Sequence, residues 1–250
     1  MTADRDVSIL MYHSIANGRG PLAIPPGTFH RQLDALAERG FRAVALRDYI
    51  ALLDGGQRTD RVAVLTFDDG YADFATAVVP DLEARGWSCT VFLSTNLIGS
   101  ASGWDPDGNG RRQLIEWTQA MDFSRRGFEI GAHGVTHADL TRLDFDRACR
   151  EVDDSKRTIE DRLGSPVVSF AAPYGRITPQ LRAHASQSFQ CAVGTRMAIA
   201  TAASDRYDLP RIDMWYFRSQ ARWNAYLDGA RTYFAVRQVF RRVRLSVRAR

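Results

Sequence analysis

The sequence predicts an α/β domain whose parallel strands curl into a closed or nearly closed barrel of about seven strands. Three observations lead there. Short β-branched apolar runs alternate with helical spacings along most of the chain, and that alternation implies parallel strands joined by crossovers. Polar residues suited to chemistry fall where those strands end, which is where such barrels gather it. The chain has 250 residues, 45% hydrophobic and 25% charged, enough for one sizeable core.

Taken in order, Val7-Ser8-Ile9-Leu10-Met11 reads as the first strand, with His13 at its C-terminal end. Past Pro25-Pro26-Gly27, Thr28 is the expected N-cap of a helix carrying Phe29, Leu33 and Leu36 and closed by Gly40. Residues 41–44 are a short strand and 46–53 a helix, broken by Gly55-Gly56. The run Val62-Ala63-Val64-Leu65-Thr66-Phe67 is a buried strand ending in Asp68-Asp69-Gly70. A helix through Phe74, Val78 and Leu82 precedes a strand at 89–93, and a long polar loop leads to an amphipathic segment around Leu114 and Trp117. A strand at 128–132 ends at His133. The clearest helix covers 145–163, with Ala148, Val152, Ser155 and Ile159 on one face. Strands at 167–171 and near 191–193, a helix from about Pro179 and the stretch Leu209-Pro210-Arg211-Ile212-Asp213 complete the unit. We divide the chain into this domain, residues 1–218, and a C-terminal basic amphipathic segment, residues 219–250.

The 33 Lys and Arg exceed the 29 Asp and Glu by only four charges, and the excess is concentrated at the C-terminal end. Cys89, Cys149 and Cys191 are odd in number and form no Cys-x-x-Cys pair, as expected of free thiols in a reducing compartment. The polar start, Met1-Thr2-Ala3-Asp4-Arg5-Asp6, lacks the apolar core of a signal peptide, and no stretch is long enough to span a membrane. These features predict a cytoplasmic protein.

Adjacent carboxylates on an extended segment point in different directions, so Asp68 and Asp69 are free to hold different jobs. Read alone, the pair also fits a polar turn in which Asp69 or Asp73 caps a helix. His133-Gly134-Val135-Thr136-His137 places two imidazoles four positions apart, a spacing that lets both reach one borderline metal ion such as Zn²⁺, Co²⁺ or Ni²⁺. With a strand-end carboxylate they make a two-His, one-carboxylate hydrolytic site with open positions for water and substrate.

Thr66-Phe67-Asp68-Asp69-Gly70, His133-x-x-x-His137 and Ala172-Pro173-Tyr174-Gly175, in that order, resemble the polysaccharide deacetylases of carbohydrate esterase family 4. The resemblance covers about Val7 to Asp213 and implies the distorted (β/α) barrel of the NodB-homology type. It assigns Asp68 as general base and Asp69, His133 and His137 as ligands of a divalent metal, with Zn²⁺ favoured and Co²⁺, Ni²⁺ or Mn²⁺ as alternatives. In that chemistry the ion acidifies a water whose proton Asp68 accepts, and the Tyr174 backbone N–H helps hold the oxyanion. The usual proton donor is a histidine in a C-terminal Leu-x-His segment, and no histidine follows His184 here. In the exopolysaccharide subgroup, whose chains begin with a Met-Tyr-His strand, the N-terminal histidine takes that role, which His13 matches.

Two departures stand out. The family's Arg before Pro-Tyr, which orients the base, is replaced by Ala171, leaving Arg211 as the candidate to reach Asp68. Gly134 stands where Ser or Thr is common. Trp104, Trp117, Trp215, Tyr216 and Phe217 are candidates to stack on a sugar. His30 and His184 are expected on the surface. Asp105-x-Asp107-x-Asn109-Gly110 with Glu116 matches a calcium-loop pattern, but no helix precedes it, and we discount it.

From Arg231 to the last residue, Arg250, no acid occurs. Arginines surround Val236, Val239, Phe240, Val243 and Val247 at helical spacing. This basic amphipathic helix either packs on the barrel or meets an anionic membrane. The whole predicts a metal-dependent N-deacetylase acting on N-acetylhexosamine units, GlcNAc above all, of a bacterial exopolysaccharide or its lipid-linked precursor. It would sit in the cytoplasm, at most peripheral to the inner membrane, with no nucleic-acid partner and with homo-oligomerisation left open. The rivals are a small-molecule amidohydrolase on the same scaffold and a non-catalytic glycan- or membrane-binding protein.

Overall fold

The computed structural model describes residues 6–104 and 111–248, with side chains as far as residue 240. The calcium-loop pattern from Asp105 to Gly110, and the side chains of Val243, Val247 and the arginines beyond residue 240, therefore lie outside the described residues.

The strands are β1 (Ser8–Tyr12), β2 (Arg42–Val44), β3 (Val62–Phe67), β4 (Thr90–Leu93), β5 (Glu129–Ala132), β6 (Ser169–Ala171), β7 (Cys191–Val193) and β8 (Ile212–Asp213). All pair in parallel, in the order β7-β6-β5-β4-β3-β1-β8, with β2 added against β3. Ala63 pairs with Ser8 on one edge and Ala43 on the other, while Thr66 pairs with Met11 and with Thr90. β2 and β4 thus share one edge of β3, which distorts the curl. Between β7 and β8 the seam is a single bridge, Val193 to Leu209, with hydrogen bonds from Leu209 N to Ala192 O and from Gly194 N to Leu209 O. The result is the distorted, incompletely laddered (β/α) barrel that the sequence predicts.

The helices are α1 (Pro26–Glu38), α2 (Leu46–Asp54), α3 (Val79–Glu83), α4 (Trp117–Arg125), α5 (Phe145–Leu163), α6 (Pro179–Ala185), α7 (Gln220–Leu227) and α8 (Thr232–Arg248). Helix α1 starts before the expected Thr28 cap because Pro26, lacking an N–H, suits the first turn. The single helix expected through Phe74, Val78 and Leu82 is instead a π-helical turn, Phe74–Val78, running into the short α3. Pro80 at its second position has no amide to continue an earlier ladder.

Alternation along the strands sorts the core and aims the site. Val7 and Ile9, Val62 and Val64, and Leu209 pack in one cluster inside the barrel, whereas Leu10, Tyr12, Ala63, Leu65, Phe67 and Ile212 pack under the helices. Continuing the inward parity gives Met11 and His13, Thr66 and Asp68, Arg211 and Asp213. The chemistry therefore caps the barrel interior at the C-terminal ends of the strands.

Residues 219–250 hold two helices rather than one tail. Trp223 and Tyr226 of α7 and Phe234 of α8 belong to the main core, and Trp223 Nε1 donates to Gln32 O at 3.0 Å.

Candidate active site

A cavity of about 820 Å³ opens over the barrel, lined by His13, Asp68, Asp69, His133, His137 and Tyr174 among others. Beneath it, Asp69, His133 and His137 bring one donor atom each within 4.8 Å of the others. Asp69 Oδ1 lies 3.3 Å from His133 Nε2 and 3.1 Å from His137 Nε2. On the far side of the first ring, His133 Nδ1 is 2.6 Å from the Ala171 carbonyl oxygen, which can only accept. That bond puts a proton on Nδ1 and, in the neutral ring, leaves the Nε2 lone pair facing Asp69. His137 Nδ1 is buried without a hydrogen-bond partner. Two imidazole nitrogens and a carboxylate oxygen converging on one point are the donor set of a borderline divalent metal, and the tautomer of His133 suits it. The residues present fit such an ion.

The same contacts also set the charge on the cluster. Burial opposes ionisation of Asp69, yet the close approach of the His133 and His137 rings outweighs it and holds its carboxyl well below the usual range. Burial likewise disfavours a charged His133, but Asp69 and Asp68 reverse the sign and raise its pKa. Trp104, also on the cavity wall, donates from Nε1 to Asp69 Oδ2 at 3.1 Å and stacks on His137 with centroids 4.1 Å apart.

Asp68 is gripped by Arg211, whose Nη1 and Nη2 donate to Oδ1 and Oδ2 at 2.6 and 2.7 Å. Arg211 is itself fixed by bonds to Gly194 O at 2.8 Å and Thr66 Oγ1 at 3.2 Å, and is only 1% exposed. For Asp68, too, burial pushes the pKa up, but the paired guanidinium pulls harder and leaves it below the ordinary value. His13 Nε2 stands 4.0 Å from Asp68 Oδ2 at the cavity wall. Its loop is clamped by Asp73, which accepts from Ser14 Oγ at 2.6 Å and Ile15 N at 2.8 Å.

The loop between the histidines hangs on α5. Glu151 accepts from Val135 N, Thr136 N and Thr136 Oγ1 at 2.8, 2.9 and 2.7 Å. Gly134 has φ +78°, and a Cβ there would sit 3.0 Å from a Glu151 oxygen, so glycine suits this position where a hydroxyl residue was expected. Of the non-glycine residues with positive φ, Asp69 (73°), His137 (59°) and Tyr174 (60°) are all in the site, and Arg61 is the other among the described residues. Tyr174 is half-exposed and turns its ring edge to His137.

The structure thus brings Asp68, Asp69, His133, His137, His13 and Tyr174 to one cavity, with Arg211 behind Asp68. Of the aromatic candidates, Tyr216 and Trp104 line the cavity, Phe217 is core, and Trp215 and Trp117 lie under Arg218 and Arg162. His30 and His184 pair with Asp81 and Asp153 well away from it. Sequence reasoning missed the Trp104 bond to a ligand, the loop anchors Glu151 and Asp73, and the reach of Arg237 and Phe240 into the cavity wall. Helical spacing puts Glu151 at the flank of the buried face of α5, where an acid is ordinary, so only its distant partners reveal it.

The profile of the polysaccharide deacetylase family matches residues 55–189. The Bacillus subtilis protein named "Putative polysaccharide deacetylase YxkH" is 25% identical over 222 residues, covering 88% of this chain and 75% of that protein. The Streptococcus pyogenes deacetylase PplD, solved in complex with acetate, superposes with a TM-score of 0.73 at 25% identity, over 83% of this chain and 91% of that one. IcaB from Ammonifex degensii superposes at 0.72 over 88% and 98%, and at 21% identity it attests the shared fold alone.

Proposed function

Because the chain belongs to the polysaccharide deacetylase family and is a hydrolase of that kind, we propose that it removes acetyl groups from N-acetylhexosamine units, GlcNAc first among them, of a bacterial exopolysaccharide or its lipid-linked precursor. The observation that carries this reading is a carboxylate kept ionised by Arg211 beside a two-His, one-carboxylate donor set, both opening on one cavity.

Asp69, His133 and His137 would hold the divalent ion, with Zn²⁺ best matched to the donors and Co²⁺, Ni²⁺ or Mn²⁺ also suited. Bound there, such an ion supplies Lewis acidity toward the acetamide carbonyl and acidifies water. Asp68 accepts the proton of the attacking water, and its tie to Arg211 keeps that proton-accepting form populated in a buried setting. The Tyr174 backbone N–H offers a donor to the oxygen that gains charge as the new C–O bond forms. His13, on the cavity side of Asp68, delivers a proton to the leaving nitrogen as the C–N bond breaks, giving acetate and a free amine. The acetate held by the PplD relative supports this product class.

Cys89, Cys149 and Cys191 are unpaired, in accord with the cytoplasm. Among the described residues no helix is long and apolar enough to cross a membrane, so any membrane contact of residues 231–250 would be peripheral.

The test is acetate release from an N-acetylglucosamine oligomer by metal-stripped and reloaded protein. Metal-restored release, lost in both Asp68→Asn and His13→Ala with metal still bound, supports the reaction and both proton roles. A metal-loaded wild type that releases nothing from acetylated glycans overturns it.

A further inference from the structure

Resting on the deacetylase reading for what the cavity holds, we propose that α8 is an interfacial helix that seats the mouth of the catalytic cavity on an anionic lipid surface. Large apolar side chains are exposed at few places among the described residues. Three of them, Val236, Val239 and Phe240, lie on α8 at 46%, 59% and 65% exposure. Their i, i+3, i+4 spacing puts them on one helix face. The sequence continues that spacing with Val243 and Val247.

The helix is already fixed by a different face. Phe234 is buried in the core, the Tyr233 ring meets Phe217 at 5.6 Å, and Gln238 Nε2 donates to Met197 O at 2.9 Å. Arg237 lies over the Tyr216 ring at 4.7 Å. The stripe left outward is therefore surplus to packing on the barrel.

Charge selects the occupant. The segment from Arg231 to Arg250 carries seven arginines and no acidic residue, while the rest of the chain is formally at net −3. An apolar stripe in a segment whose charged residues are all cations complements a bilayer of anionic headgroups, where the stripe enters the acyl boundary and the arginines meet phosphate. Arg237 and Phe240 also form part of the cavity wall, together with Arg176 and Arg196 and the acids Asp208 and Asp213. A bilayer against this face would border the cavity mouth, so a glycan carried at the membrane surface would enter from the side on which it is held.

The full-length protein is sedimented with vesicles of phosphatidylcholine alone and of equal parts phosphatidylcholine and phosphatidylglycerol. The wild type should bind the anionic vesicles at least about tenfold more tightly, and lose that preference at high salt. Val236→Asp/Val239→Asp should abolish the binding and Val236→Ser/Val239→Ser weaken it, while both keep acetate release from a soluble oligomer. Absence of wild-type binding, equal binding to both vesicles, or a variant that binds like wild type would overturn the proposal. So would a wild-type dimer in solution that the same substitutions dissolve, because a second copy would then cover the stripe. Vesicle binding without any acetate release would keep the interfacial role and overturn only the substrate reading.

Discussion

Arg211 grips Asp68 through both terminal nitrogens across 143 residues of chain. The fork geometry matches the carboxylate, and both side chains are almost wholly buried. The pair supplies, from the last strand, the charge that Ala171 on β6 cannot. Asp68 is therefore oriented from the far side of β1, which lies between β3 and β8, rather than from a neighbouring loop.

Arg211→Ala leaves a buried carboxylate unpaired, and stability should fall by about 3–5 kcal/mol in urea unfolding. In the wild type the depressed Asp68 pKa contributes stability above the unfolded pKa that is lost as pH falls through the folded one. The variant should lack that acid-side loss, and its acid limb of kcat/KM should move to higher pH. An unmoved limb would remove Arg211 from the base.

Trp104→Phe keeps the stack on His137 but removes the donor to Asp69. Zn²⁺ affinity by competition with a chelating dye should drop about tenfold, while chelator treatment of the wild type removes acetate release altogether. Unchanged affinity would mean that the indole hydrogen bond does not tune the ligand.

Glu151→Ala frees Val135 and Thr136 from α5. Metal affinity should fall about 10–100-fold, and Glu151→Gln, which retains an acceptor, should recover part of it. Equal loss in both variants would argue for charge rather than loop geometry.

Asp73→Ala releases the loop that carries His13. We expect kcat to fall with metal affinity intact, and a cost of about 1–3 kcal/mol from the unpaired Ser14 and Ile15 groups. Loss of metal in this variant would contradict the separation of the two halves of the site.

Glu129, buried below the site, accepts from Thr90 Oγ1, Ser169 Oγ and Arg47 N at 2.6, 2.5 and 2.9 Å. Burial wins over these bonds and raises its pKa above the ordinary 4.5. A carboxyl raised in the folded state contributes stability below its unfolded pKa that is lost as pH climbs through the folded one. Urea midpoints of the wild type should decline over that window, and Glu129→Gln should flatten the decline. A parallel decline in the variant would locate the titration elsewhere.

The strands, α5 and the convergence of Asp69, His133 and His137 were legible because periodicity and short motifs are local. Arg211 is a candidate to reach Asp68 from the sequence because Ala171 stands where the family has its arginine, but the two-pronged contact depends on β8 pairing with β1 beside β3, which no local pattern encodes. Glu151 carries no signal in the sequence and Asp73 reads only as a possible helix cap, because their partners are mainly backbone amides of another segment. The π-helical turn escaped because the apolar spacing of Phe74, Val78 and Leu82 fits a regular helix just as well. The tail was half-read: its basic face shows in the sequence, whereas the anchoring of α7 by Trp223 rests on a contact with α1.

Asp69, His137 and Tyr174 each hold a left-handed backbone that L-residues adopt at a cost of about 1–2 kcal/mol. Glycine would relieve that cost at all three positions, and at Asp69 and His137 it would also delete a candidate metal ligand. A directed-evolution campaign scored on melting temperature alone would therefore be rewarded for dismantling the reaction centre, and its fittest descendants would be heat-resistant and inert. Screening this scaffold for durability demands that turnover be selected in the same round.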